Sequence, residues 1–114
     1  MHGAFADSSG WDLAQFRATF AADVDPVIAA DMAATQRPID AKTFGSTSGQ
    51  PAWKSIPSWY LAATRDHALA PDLERFMAAR AGSHTMEIGS SHGAMVSHPA
   101  EVTQLIERAD RGTR

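Results

Sequence analysis

The 114-residue chain contains no cysteine, which excludes disulfides, thiolate metal sites and a cysteine nucleophile. Its 10 Lys and Arg residues are scattered between Arg17 and Arg114, and the formal net charge is -3. Binding to nucleic acid or to an anionic membrane surface requires several grouped cations, so neither partner is expected. No apolar run approaches the roughly 20 residues that a membrane-spanning helix needs.

The first residues also lack the basic stretch and apolar segment of a secretory signal peptide, so a cytoplasmic location is expected. The apolar fraction of 44% and the charged fraction of 20% are typical of a globular domain rather than a disordered chain. No helix carries His and carboxylate residues at metal-ligand spacing. We therefore expect no metal and no other cofactor.

The N-terminal half of the chain predicts two helices between loops. Residues 1–11 show no period and indicate a loop, after which Asp12 is placed to cap a helix. Asp25 and Pro26 predict the N-cap and the first residue of a second helix. A connector rich in Gly and Ser follows over residues 38–57. The inward stripe of the second helix is expected to comprise Val27, Ile28 and Met32.

The C-terminal half predicts an α/β order of strand, helix, strand and helix. Residues 58–64 form a near-continuous apolar run, typical of a strand covered on both faces, and residues 84–88 predict a shorter strand. Pro71 and Pro99 are placed to open the helices, and Gly82 to end the first. This order favours a parallel pair joined by a right-handed crossover. The inward faces are expected to carry Leu73, Phe76 and Met77, then Val102, Leu105 and Ile106.

One polar residue follows each predicted strand. Asp66 comes after the first strand and His92 after the second. Catalytic groups gather beyond the carboxyl ends of strands in open α/β sheets, where neighbouring strands lie about 4.8 Å apart. An Asp in this place can orient an imidazole and stabilise its protonated form. Loop Asp and His residues are more often solvated surface groups, so the spacing alone leaves both interpretations open.

Three segments stand out in the C-terminal half of the chain, namely residues 57–66 (PSWYLAATRD), 71–78 (PDLERFMA) and 90–99 (SSHGAMVSHP). Together they resemble the C-terminal part of a bacterial α/β-hydrolase family. The resemblance runs over about residues 12–109 and implies that Asp66 is the acid and His92 the general base of a catalytic triad. Ala70 departs from the family pattern, which usually has proline there, and this leaves the assignment of Asp66 unchanged.

Residues 2–11 resemble the same family at a different place, its oxyanion-hole loop. By analogy, the backbone N–H of Ala4 or Phe5 would form half of the oxyanion hole. Between Trp11 and Asp12 the family pattern jumps, since the nucleophile elbow and most of the cap have no counterpart. This predicts an internal deletion, natural or introduced.

A G-x-S-x-G pattern nevertheless occurs at residues 89–93, with Ser91 in the position of a nucleophile. We favour assigning these residues to the loop of the base. The adjacent His92 matches the base of the family, and triad members come from separate elements of a fold. Ser91 as the nucleophile is the less favoured alternative.

The resemblance implies a single partial α/β-hydrolase domain over residues 1–114. It would comprise an oxyanion-loop segment (1–11), cap-derived helices with a connector (12–56) and a βαβα unit (57–111). Small ester-like substrates are expected for the family, and this chain, with no recognisable serine nucleophile, is expected to be inactive alone. One alternative is an interaction module that forms homo-oligomers or complements another hydrolase fragment, because unpaired strand edges seek partners. Another is a fragment without a function of its own.

Overall fold

The computed structural model describes residues 13–114, in which five helices accompany a two-stranded parallel sheet. The helices are α1 (Leu13–Phe20), α2 (Pro26–Ala34), α3 (Pro71–Ala81), α4 (Ala94–Ser97) and α5 (Pro99–Gly112). The strands are β1 (Trp59–Ala63) and β2 (His84–Ile88), and short 3-10 helices cover Ala41–Gly45 and Ala52–Lys54. The predicted α/β class is confirmed. Within the described residues, no helix has the length and apolar character needed to cross a bilayer.

The sheet forms as the sequence predicts, with β1 and β2 parallel and α3 as the crossover between them. Trp59 lies opposite His84 at one end of the pairing, and Ala63 lies opposite Ile88 at the other. Gly82 ends α3 in the left-handed conformation, with φ 63°, which glycine adopts without the steric cost of a Cβ atom. The predicted loop at residues 1–11 and its Asp12 cap lie outside the described residues.

The buried apolar cluster of the N-terminal part lies at α1, α2 and the turn between them. The rings of Phe16 and Phe20 stack with their centroids 5.5 Å apart. Ala21, Val24 and Ala29 complete the buried set. This cluster lies next to the end of the sheet. The backbone oxygen of Phe20 accepts a hydrogen bond from the N–H of Gly93, which follows β2 in the chain.

Asp25 caps α2 as predicted, since its carboxylate accepts the N–H groups of Val27 and Ile28. The expected inward stripe is wrong for both of these residues, whose side chains are exposed. Ala29 is buried in their place, and Met32 packs against the cluster as expected. Because α2 is apolar on nearly every side, spacing alone could not select its buried face.

The buried face of α3 also differs from the prediction. Leu73 and Phe76 are 44% and 61% exposed, whereas Glu74 and Ala78 are buried. Ala78 is small enough to let the helix approach β1, and Glu74 accepts a backbone hydrogen bond from that strand. In α5 the prediction is wrong for Ile106, which is exposed, while the other two expected residues are half-buried.

Candidate active site

Asp66 and His92 lie in two adjacent segments, the turn after β1 and the loop after β2. The parallel pairing continues beyond the strands, because the N–H of Arg65 donates to the carbonyl of Ser90 at 3.1 Å. The turn and the loop therefore run side by side. His92 Nδ1 lies 2.6 Å from Asp66 Oδ2, a short distance typical of a charge-assisted hydrogen bond. The structure thus brings together the two residues that the sequence singled out.

Asp66 is buried, and its carboxylate takes part in three hydrogen bonds. Its Oδ1 atom accepts the N–H groups of Ala68 at 2.7 Å and Leu69 at 3.0 Å, while Oδ2 meets His92. Burial opposes a charge on Asp66, but the hydrogen bonds from His92 and the backbone outweigh it, so the pKa of Asp66 lies below its usual value. Asp66 is therefore a carboxylate at neutral pH.

The His92 ring is fixed from a second side by α1. The rings of Phe20 and His92 pack edge to face, with their centroids 5.0 Å apart and an angle of 83° between their planes. The next residue, Gly93, donates its N–H to the Phe20 oxygen at 2.7 Å. A Cβ atom on Gly93 would lie 3.1 Å from that oxygen, so glycine permits this close approach. Nε2 of His92 has no hydrogen-bond partner among residues 13–114.

An apolar cleft opens beside the imidazole of His92. Aromatic rings and thioether side chains form most of its wall, and one amide is present. The residues that share the cleft with His92 include Phe16, Phe20, Met32, Gln36 and Met95. A small and mainly apolar group can therefore lie next to the imidazole.

Ser91, the serine of the G-x-S-x-G pattern, is not bonded to His92. It is buried, and its hydroxyl donates to Asp23 Oδ1 at 2.5 Å. His98 Nε2 lies 3.2 Å from the other oxygen of the same carboxylate. Burial opposes a charge on Asp23, but the hydrogen bonds from Ser91 outweigh it and keep the pKa of Asp23 below its usual value. Because the Ser91 hydroxyl donates its hydrogen bond to a carboxylate, it lacks the contact with an imidazole base that activates a nucleophile.

Glu74 is a titratable group near the pair that the sequence did not indicate. Its Oε2 atom accepts the N–H of Ala63 at 3.0 Å. Burial raises the pKa of Glu74 to about 7, and the neighbouring Asp66 adds to this rise. An acidic residue in the first turn of a helix usually faces solvent near the positive end of the helix dipole. No pattern in the sequence therefore indicates that this carboxyl group is buried.

Two other predictions concern what surrounds the pair. Ala4 and Phe5, the residues predicted to form half of an oxyanion hole, lie outside the described residues. In the part of the chain that the structure describes, no group of three or more His, Asp or Glu side chains could hold a metal ion.

A comparison with protein families gives one match. A model described as the alpha/beta hydrolase family matches residues 1–105, a range that includes both Asp66 and His92. No curated protein and no solved structure gives a significant match to the chain.

We expect the hydrogen bonds of Asp66 to make stability depend on pH. The pKa of Asp66 is lower in the folded than in the unfolded chain, so this stabilisation is complete above about pH 4 and is lost as the pH falls through the folded value. Asp66→Asn should lower the free energy of unfolding at pH 7 by about 1–3 kcal/mol, because it breaks a buried hydrogen bond with His92. Urea unfolding from pH 7 to pH 3 measures both effects.

Asp72→Asn is the matched control, since the Asp72 side chain on α3 is 96% exposed. Its exposed ion pair with Arg75 contributes little, so the variant should change the free energy of unfolding by less than about 1 kcal/mol. The difference in the free energy of unfolding between the wild type and Asp66→Asn should become smaller at low pH. A difference that stays constant from pH 7 to pH 3 would contradict the assigned charge on Asp66.

Proposed function

Because the chain belongs to the alpha/beta hydrolase family, we propose that Asp66 and His92 are the acid and the general base of a serine-hydrolase relay. This membership confirms the resemblance noted in the sequence, whereas the roles of the two residues are the proposal. The observation that supports it most is the 2.6 Å distance between His92 Nδ1 and Asp66 Oδ2. The proposed chemistry is the hydrolysis of esters or related acyl compounds.

In such a relay His92 moves one proton. Its Nε2 atom takes the proton from an attacking hydroxyl as the new carbon–oxygen bond forms, and returns it to the leaving alcohol as the ester bond breaks. Asp66 keeps the other proton on Nδ1 and stabilises the imidazolium between these steps. The three N–H groups that converge on Asp66 suit this role, because they hold the carboxylate in its charged form.

The cleft beside His92 supports small substrates with an apolar acyl part. Hydrolases of this family act on small molecules. Phe16, Phe20 and Met32 come from the two N-terminal helices, and Met95 comes from α4. These side chains offer apolar contact to a short acyl chain and few polar contacts beyond the amide of Gln36.

The attacking hydroxyl is the part of the relay for which this chain offers no suitable residue at the described site. Ser91 is buried, and its hydrogen bond goes to Asp23. The backbone of Ala4 or Phe5 remains the proposed half of the oxyanion hole. We propose that the chain contributes the acid and the base, and that it does not hydrolyse esters by itself.

Activity measurements test this proposal on the isolated chain with a p-nitrophenyl ester of a short fatty acid. Loss of the serine from a complete triad lowers kcat by about 10⁶-fold. The elbow that would supply the other half of the oxyanion hole has no counterpart either, so we expect a rate close to that of buffer. A fluorophosphonate probe, which labels activated serines, should also leave the chain unmodified.

Ser91→Ala and His92→Ala serve as the paired variants for this measurement. Neither should change the background rate. Steady turnover that disappears in His92→Ala would show that the chain is active alone. If it also disappeared in Ser91→Ala, together with probe labelling, the nucleophile would be Ser91 and the assignment of its loop would be wrong.

A second candidate function is assembly with another chain, and the exposed apolar face of α3 favours it. Phe76 is 61% exposed and Leu73 is 44% exposed on the same helix. In the described residues the sheet has only two strands, so each strand has one unpaired edge. A second copy, or a hydrolase fragment that carries a serine, would cover these surfaces.

Light scattering coupled to size-exclusion chromatography tests assembly. We expect the mean mass to rise with protein concentration, and Phe76→Glu to reduce that rise by placing a charge on the apolar face. Val27→Glu is the control, because Val27 is also an exposed apolar residue but lies on α2. A monomer at every concentration would rule out self-association.

A further inference from the structure

Glu74 is a buried acid for which the proposed relay has no use. It is only 4% exposed, although it lies in the first turn of α3. Oε2 accepts the N–H of Ala63, the last residue of β1. The other oxygen, Oε1, is buried and has no hydrogen-bond partner among the described residues. A charged oxygen buried without a donor is costly, so this environment favours the neutral acid with its proton on Oε1.

The groups that face Glu74 come from three parts of the fold. They are Tyr60 in β1, Asp66 in the turn after β1, and His92 in the loop after β2. Asp66 acts on Glu74 through a contact between the two carboxyl side chains and through its charge, and both effects raise the pKa of Glu74. Two neighbouring carboxyl groups resist double ionisation, so one of them keeps a proton.

The number of donors decides which carboxyl group keeps that proton. Asp66 accepts hydrogen bonds from two backbone N–H groups and from His92. Glu74 accepts one, from Ala63. Hydrogen bonds to the charged form stabilise it, so the negative charge belongs on Asp66 and the proton on Glu74.

We propose that Glu74 is a positioning residue for the Asp66–His92 pair. It holds the end of β1 through Ala63, and its proton leaves the pair with a single negative charge. When Glu74 loses this proton, a second negative charge lies beside Asp66 and alters the hydrogen bond between Asp66 and His92. The importance of this for catalysis rests on the proposed function, but the location of the proton does not.

The proton on Glu74 is observable in the full chain by ¹³C NMR. The sequence contains only four glutamates, at positions 74, 87, 101 and 107, so labelling the glutamate δ-carboxyl carbon gives four signals. Burial next to Asp66, which raises the pKa of Glu74 to about 7, predicts one signal with a midpoint near pH 7. The signal of Glu87 should titrate at much lower pH, because hydrogen bonds from Arg75 lower the pKa of that carboxyl group.

Glu74→Gln keeps the shape of the side chain and should remove the signal with the midpoint near pH 7. Glu107→Gln, on the exposed face of α5, should leave that signal in place. Four signals that all titrate in the ordinary range would overturn the proposal in the wild type alone, whether or not the variant folds. A signal near pH 7 that survives Glu74→Gln would overturn it as well.

A second NMR readout separates positioning from a merely structural role. The His92 Nδ1 proton should resonate far downfield, and its chemical shift should follow the ionisation of Glu74 with the same midpoint near pH 7. This step should disappear in Glu74→Gln and persist in Glu107→Gln. If the chemical shift of the His92 Nδ1 proton varied with pH in the same way in the wild type and in both variants, the positioning role would be overturned. Neither readout uses ester hydrolysis, so a failure of the proposed enzymatic function would leave both results interpretable.

Discussion

The hydrogen bond between His92 Nδ1 and Asp66 Oδ2, 2.6 Å long, fixes the geometry of the candidate site. It joins the turn after β1 to the loop after β2, so it depends on the parallel register of the two strands. A slip of one residue would turn every side chain of one strand to the opposite face and would separate the pair. The contact of Phe20 with the His92 ring anchors the same loop to α1.

Two buried carboxyl groups, Asp66 and Glu74, and the more exposed Asp23 lie around this loop, and hydrogen bonds give them different charges. Asp66 and Asp23 each accept several donors, which keep their pKa values low in spite of burial. Within residues 13–114, Glu74 accepts a single backbone donor and its Oε1 atom has no hydrogen-bond partner, so burial and the neighbouring Asp66 raise its pKa to about 7. The same loop therefore places Ser91 against one carboxylate and His92 against another, which explains why a motif search and the geometry disagree about Ser91.

Much of this arrangement follows from local sequence signals. Asp25 as a cap, Gly82 as a helix end and the apolar strand β1 each rest on the chemistry of a few residues close in the sequence. The pairing of Asp66 with His92 was predicted from strand order together with the family resemblance, because strand order alone left a solvated location open for both residues. The buried faces of α2 and α3 could not be predicted from local sequence signals, because they depend on which side of each helix packs against the rest of the chain. The burial of Glu74 could not be predicted for the same reason, because it results from contact with β1 and does not show in the spacing of residues along α3.

The tautomer of His92 is the most direct test of the proposed acid–base pair. Long-range ¹H–¹⁵N correlation spectra at alkaline pH, where the imidazole is neutral, show which ring nitrogen carries the proton. If Asp66 orients His92, the proton lies on Nδ1, Nε2 is bare, and Asp66→Asn abolishes this preference. A proton on Nε2 in the wild type, or a tautomer that Asp66→Asn leaves unchanged, would contradict the pairing.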